Sequence, residues 1–418
     1  MAEFRKNIQY YKFCSYGFLK NLRFFDAFFI LYLVEKGLPY TQIGVLYAIR
    51  EVIINVVEVP SGFIADTYGR KSALLGSFAA YTISFAVFYF SSGFGLFSVA
   101  FVLYGVGDAF RSGTHKAMIM EYLKIKQWEG QKVDYYGHTR SWSQLGSALS
   151  SLVAGAIVFL NGKYQNVFLY SIVPYILNFA LILSYPKNLN HSAGADKAPE
   201  NYSIWATFKS FFVVIRHQSV LRIINTSAVH SAYLKAVKDY IQILMVGVVA
   251  LIPLFVGYED KQRNGIVIGM IYFIVYLLTS RASAISGRFD SKGKSNIAFI
   301  TLIIGFGFGA LSGVLYLADI SVFALIAFVG IYIIENLRKP ILTGYIADRV
   351  PNKILASVLS AQSLLKTIMT AVLAVVLGFL SDKFGIGIAF IAVSLLLIII
   401  TVLFSIFFKN EVDEASVS

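Results

Sequence analysis

Apolar runs of about 20 residues recur along the whole chain, each long enough to cross a hydrocarbon core of roughly 30 Å. They fall near 13–35, 41–64, 73–92, 96–120, 138–160, 165–185, 219–256, 264–286, 296–317, 320–346, 354–380 and 385–408. No other feature constrains the fold so tightly. In lipid every backbone amide and carbonyl must be satisfied inside its own segment, so the runs are expected to be helices. Alternating strands of about 10 residues, the mark of a membrane barrel, do not occur. Only 14% of the 418 residues are charged, against about a quarter in a soluble domain. The expectation is an all-α integral membrane protein with twelve transmembrane helices in two six-helix bundles. The run at 219–256 is too long for one straight crossing and should tilt, bend or extend beyond the lipid.

The formal net charge of +13 follows the positive-inside rule and implies no nucleic-acid partner. With the N-terminus in the cytoplasm, that side collects Arg5, Lys6, Lys12, Arg70, Lys71, Lys124, Lys126, Lys132, Lys187, Lys197, Lys209, Arg216, Arg288, Lys292, Lys294, Arg349, Lys353 and Lys409. The opposite loops hold Lys36, Lys163, Lys261, Arg263 and Lys383. An even number of spans returns the C-terminus to the cytoplasm. The polar start and the charges Lys20, Arg23 and Asp26 inside the first run argue against a cleavable signal peptide. One cysteine, Cys14, permits neither an intramolecular disulfide nor a metal-site pattern. No cofactor is expected.

The longest polar interruption, 186–218, reads as a cytoplasmic linker. It separates an N-terminal bundle, 1–185, from a C-terminal bundle with a short tail, 219–418. The two parts are related to each other. Span four carries Asp108, Arg111 and Glu121, span ten carries Glu335, Arg338 and Asp348, and all three pairs share one offset. Spans one and seven share a Leu-Lys-x-x-Arg/Lys pattern at Lys20/Arg23 and Lys235/Lys238.

Between spans two and three lies Gly62-Phe-Ile-Ala-Asp66-Thr-Tyr-Gly69-Arg70-Lys71, echoed by Gly287-Arg-Phe-Asp290-Ser-Lys-Gly293-Lys294 in the second part. Gly62 and Gly69 are expected to permit close helix approach and an abrupt turn. Asp66 stands where it can face a neighbouring helix N-terminus. This stretch resembles the cytoplasmic loop between the second and third helices of major facilitator superfamily transporters, and its echo resembles the loop between helices eight and nine. The resemblance implies two pseudo-symmetric bundles with substrate bound near the midplane between them. It implies a latch on the cytoplasmic face, with Arg70 and Glu121 as one candidate pair and Lys294 and Asp348, beside Asp290, as the second. A plain positive-inside turn is the alternative reading.

Charges inside a membrane are costly and normally face a cavity or a partner. The deep bases are Arg23, Arg50, Arg111, Lys116, Lys235, Lys238, Arg338, Lys339 and Lys366; the deep acids are Asp26, Glu51, Glu58, Asp108, Asp239 and Glu335. They lie on spans one, two, four, seven, ten and eleven, the spans that line the pathway in the resembled family. The basic surplus favours an anionic substrate. Arg23, Tyr104, Arg111, Lys235, Lys238, Gln242 and Arg338 are the substrate-binding candidates, and Asp26, Glu51, Glu58, Asp108 and Glu335 the proton-coupling ones. Arg23 with Asp26, and Asp108 with Arg111, also read as local ion pairs that only orient helices. Lys116 and Lys339 also read as snorkelling to the interface, and Arg140 and Gln144 as interface anchors.

The function expected is secondary active transport of a small solute, an organic or inorganic anion, by alternating access coupled to an ion gradient, with protons the leading candidate. A multidrug/proton antiporter is the alternative. Span five, however, reads Gly146-Ser-Ala-Leu-Ser-Ser-Leu-Val-Ala-Gly155 and lacks the Gly-Pro-rich stretch of many such antiporters. A phosphate-binding Gly-x-x-x-x-Gly-Lys loop is missing, and His115, His138, His191, His217 and His230 are dispersed, so an enzyme is not expected. A monomer in a bacterial inner membrane completes the expectation.

Overall fold

The computed structural model describes residues 6–190, 218–253, 255–285, 294–349 and 352–407, and among these the regular structure is entirely helical. In chain order the α-helices are α1 (Ile8–Lys20), α2 (Phe29–Glu35), α3 (Tyr40–Tyr68), α4 (Arg70–Phe90), α5 (Phe94–Arg111), α6 (Thr114–Ile125), α7 (Lys132–Asn161) and α8 (Asn166–Leu183). They continue as α9 (Gln218–Val237), α10 (Ile241–Leu251), α11 (Asp260–Ile285), α12 (Lys294–Leu317), α13 (Ser321–Arg349), α14 (Asn352–Phe384) and α15 (Ile386–Phe407). Among the described residues ten helical segments are long and apolar enough to cross a membrane, α15 reaching a mean hydropathy of 3.1.

The first and seventh apolar runs are not among those ten, because each is broken. The first, expected to be continuous over 13–35, stops at Lys20 and resumes after a 3-10 turn at Phe24–Ala27. The seventh stops at Val237, makes a 3-10 turn over Lys238–Tyr240 and resumes as α10. Arg23 precedes the first 3-10 turn and Lys238 begins the second, so matched basic positions mark both breaks. The fourth run is also split, at Gly113, whose φ of +74° suits glycine and disfavours other residues.

Residue contacts group the chain into two compact units. Unit 1 comprises Met1–Lys36, Val52–Tyr202 and Pro253–Tyr276, and unit 2 comprises Gly37–Glu51, Ser203–Ile252 and Leu277–Ser418. In unit 1, α4 packs on α5 and α8, and α1 packs on α7. Its core is aromatic: Phe25 stacks on Phe168 with centroids 5.5 Å apart, and Phe29 stacks on Phe101 at 5.3 Å. Many of these rings fill the space between helices, with Phe78, Phe85, Tyr81 and Tyr175 fully buried. Gly155 of α7 meets Gly265 and Gly269 of α11 so closely that a Cβ on Gly155 would lie 2.7 Å from the Gly265 carbonyl oxygen. Small residues let backbones approach in this way.

In unit 2, α12 packs on α13 and α15, and α9 packs on α14. The opening turn of α3 is capped from α14: the Asp382 carboxylate accepts from the Tyr40 amide at 2.8 Å, the Thr41 amide at 2.7 Å and the Thr41 hydroxyl at 2.6 Å. A carboxylate against unpaired amides at a helix start is favourable on hydrogen-bonding and dipole grounds alike. A Cβ on Gly44 or Gly378 would strike the backbone of the facing helix, which pins α3 to α14 over that first segment.

Candidate functional site

In unit 1 the charged groups condense on α5. The Asp108 carboxylate accepts from the Tyr81 hydroxyl at 2.5 Å and from Arg111 Nη2 at 2.8 Å, and Arg111 Nε donates to the Tyr81 oxygen at 2.9 Å. The spacing of Asp108 and Arg111 puts both on one helical face. Tyr81 closes the ring from α4. Tyr104, also on α5, is buried and packs edge-on against Tyr81 with centroids 5.1 Å apart. In the broken first run, Arg23 Nη1 lies 3.9 Å from the Asp26 carboxylate. Glu58 is exposed and accepts from the Ser112 hydroxyl at 3.0 Å. The histidine His115 stacks flat on Tyr16 at 3.5 Å and pairs with the Tyr185 hydroxyl at 3.1 Å.

Beside this cluster, α1, the start of α6 and α7 enclose a cavity of about 340 Å³, with Lys20, Arg111, Lys116 and Arg140 in its wall. Arg111 is the substrate-binding candidate brought to it. Arg23 and Tyr104 are not in its wall.

The expected turn at Gly62–Lys71 is narrower than its sequence suggests. Helix α3 runs through Gly62 and Asp66 to Tyr68, and α4 begins at Arg70. Gly62 is therefore helical and exposed, and a Cβ there would meet none of the described residues within 4 Å. Among the described residues the close approach expected of it is not found, and the reversal is made at Gly69. That residue has φ +99°, and the Asn190 side chain occupies the place where a Cβ would sit. Asn190 braces the reversal: its carbonyl accepts from the Arg70 amide at 2.7 Å and its side-chain oxygen from the Lys71 amide at 2.9 Å. The Lys71 ammonium donates to the carbonyls of Leu183 and Tyr185. Arg70 Nη1 lies 3.8 Å from the Glu121 carboxylate, both side chains largely covered. The side chains of Asp66, Lys294 and Asp348, and Asp290 altogether, lie outside the described residues.

Unit 2 carries a second constellation. Glu51, fully buried, accepts from Lys235 Nζ at 2.5 Å and from Arg50 Nη2 at 3.1 Å. Lys238 Nζ lies 3.4 Å from Asp239. Glu335 accepts from Ser231 and pairs with His230 Nδ1 at 2.8 Å. A cavity of about 500 Å³ opens here, with Lys235, Lys238, Lys339 and Lys366 in its wall and Glu335 as its carboxylate. Two substrate-binding candidates are not in that wall. Gln242 is buried in α10. Arg338 is 1% exposed, and its guanidinium donates to the Ala298 carbonyl, to the Thr301 hydroxyl at 2.6 Å and to the Thr226 carbonyl at 2.8 Å.

The offset that aligns Asp108/Arg111 with Glu335/Arg338 thus aligns residues with different partners. On α5 the acid holds its own arginine; on α13 the arginine ties α9, α12 and α13 together, and a histidine takes the acid. Sequence reading missed His230, because 105 residues separate it from Glu335 and no spacing rule joins them. Tyr81 and Asn190 carried no charge and no motif to reveal them.

Several charged side chains held between mostly apolar membrane-length helices define a multi-pass membrane protein of the transporter class. The profile of the Major Facilitator Superfamily matches residues 14–372, and the chain belongs to that family, as a transporter of a small solute. It is 22% identical over 409 residues to the uncharacterized MFS-type transporter YxaM of Bacillus subtilis (strain 168), covering 97% of each chain. Among solved structures it resembles a mutant form of the nucleoside transporter NupG, with TM-score 0.71, 14% identity and 96% of each chain covered. It likewise resembles a POT family transporter in complex with 5-aminolevulinic acid, with TM-score 0.68, 14% identity and coverage of 96% and 95%.

Proposed function

We propose that the chain is a secondary active transporter of a small anionic solute. In this reading twelve spans, the broken first and seventh among them, form two six-helix bundles over 1–185 and 219–418, joined by the 186–218 linker. Alternating access driven by an ion gradient, with protons as the coupling ion, moves the solute across a plasma (bacterial inner) membrane. Both termini are cytoplasmic, and the transporter works as a monomer.

The observation that carries the anion assignment is the wall of the unit 2 cavity, where among the described residues Lys235, Lys238, Lys339 and Lys366 stand against one carboxylate, Glu335. Glu51 takes up part of the Lys235 charge and Asp239 pairs with Lys238, and the four lysines still outnumber these carboxylates and Glu335. Uncompensated charge in a low-dielectric setting is unfavourable, and a bound anion relieves it. The carboxylates Asp26, Glu51, Glu58, Asp108 and Glu335 are the groups available to carry a coupled proton. Lys235, Lys238 and Arg111 reach cavity walls and are the substrate contacts favoured; Arg23, Tyr104, Gln242 and Arg338 stand outside both walls. The reversal at Gly69, with Arg70 and Glu121, is read as the latch that opens and closes with the transport cycle.

Counterflow in proteoliposomes tests the reading, using panels of organic and inorganic anions, organic cations, nucleosides and dipeptides, with and without a pH gradient. Exchange of an anion, abolished in Lys366→Gln and stimulated by the gradient, is expected. Exchange of cations alone would move the assignment to the multidrug/proton class.

A further inference from the structure

The unit 1 cavity differs from that of unit 2 in the balance of its wall. Lys20, Arg111, Lys116 and Arg140 face it, and among the described residues no aspartate or glutamate does. Arg111 is committed to Asp108, but the other three are not so answered. Lys20 makes no hydrogen bond or salt bridge among the described residues through its ammonium group. Its backbone carbonyl accepts from the Tyr175 hydroxyl at 3.1 Å, which holds the end of α1 in place. Lys116 leans over the Tyr136 ring at 5.5 Å, and among the described residues its three donors make no hydrogen bond. Arg140, on the exposed side of α7, brings a planar fork of donors suited to oxyanions.

Two further features converge on the same space. The twelve-residue α6 starts at Thr114, directly after the positive-φ Gly113, and Gly113, His115 and Lys116 are all in the wall. The positive end of the α6 dipole therefore borders the cavity. Gly17 lets α1 close onto α7 at Ser143, and the Ser143 hydroxyl and Gln144 amide border the same space.

We propose that this cavity binds an oxyanion group carrying two or more negative charges, of the phosphoryl or polycarboxylate class. The inference deepens the anion reading above and rests on it. A single carboxylate would answer one of three unmatched cations. A dianion or trianion answers them together, and its several oxygens match the ammonium and guanidinium donors and the positive start of α6 at once. In unit 2 the protein supplies its own carboxylates, and a lower ligand charge suffices there.

The test uses the purified full-length transporter in nanodiscs, with calorimetric titration and thermal shift at constant ionic strength. The probes are inorganic phosphate, citrate, acetate and choline. Phosphate or citrate is expected to bind about tenfold or more tightly than acetate, with choline inert, since charge-assisted hydrogen bonds are the strong ones. Which of the two binds tighter tells a phosphoryl site from a polycarboxylate one. Lys20→Gln and Arg140→Gln should each weaken that binding about tenfold, the loss of one hydrogen bond to a charged group, while Lys20→Arg retains it. Arg140 is exposed, so its variant keeps the test open even where Lys20→Gln fails to fold. Equal binding of acetate and phosphate overturns the multivalent site. So does intact binding in Lys20→Gln and Arg140→Gln alongside loss in Lys235→Gln and Lys366→Gln; that pattern leaves the anion reading standing. Binding of no anion overturns both.

Discussion

Arg338 has five donors and is 1% exposed, with Ala298, Thr301 and Thr226 taking its guanidinium from two other helices. Hydrogen bonds to a charged group contribute about 1.5–3 kcal/mol each, and a buried charge is tolerated only with such partners. Arg338→Ala removes the cation and leaves two carbonyls and a hydroxyl facing a void. The expected result is a loss of about 2–4 kcal/mol of stability, read as a clear fall in the melting temperature of the detergent-solubilised protein. Lys in its place reaches one carbonyl without the fork and recovers only part of the loss. A melting curve indistinguishable from wild type would mean that the guanidinium does not tie these helices together. At this scale the sequence was half informative. Charge inside an apolar run marked Asp108, Arg111, Glu335 and Arg338 as consequential, because lipid leaves such groups few alternatives. It did not say that one arginine would turn to its neighbour on the helix and the other away from it. That choice depends on what lies across the interface, Tyr81 in one case and His230 in the other, and neither is within reach of a local pattern.

Among the elements, the reversal between α3 and α4 depends on one residue. Gly69 has φ +99° and ψ 142°, close to a region open essentially to glycine alone, where a Cβ costs about 1–3 kcal/mol in backbone strain, and the Asn190 side chain already fills the space a Cβ would take. Gly69→Ala should therefore destabilise by more than the strain alone. Asn190→Ala should act through the same brace, since it removes the side-chain acceptor of the Lys71 amide. If the two changes touch one structure, their combined effect on melting temperature is smaller than the sum of the separate effects. Strict additivity would separate the brace from the turn. Hydropathy located α4, α8 and α15 well, because a crossing of the bilayer needs an apolar length and little else. It could not see the breaks in the first and seventh runs. A window of about 19 residues averages over a 3-10 turn of three or four, and the only trace left was the shared basic pattern at Arg23 and Lys238. The Gly62–Lys71 stretch was legible as a reversal, but its composition spread over ten residues what the backbone does at one.

For the whole molecule, orientation rests on the uneven distribution of lysine and arginine between alternate loops. The Gly69 reversal, flanked by Arg70 and Lys71, falls on the basic side. The turn between α7 and α8, with Lys163 alone, falls on the sparse side. Both sites offer an exposed position, Thr67 beside the first and Lys163 in the second. The chain has one cysteine, Cys14, and it is buried, so reaction of the parent protein with a membrane-impermeant maleimide should be slight. Introduced separately, Lys163→Cys should label in intact cells and Thr67→Cys only after the membrane is permeabilised. The same side for both would contradict an odd number of crossings between them, and with it the span count over α4 to α7. The reverse pattern would leave the count intact and invert the protein, placing the Arg70–Glu121 pair on the outer face, where a cytoplasmic latch cannot be.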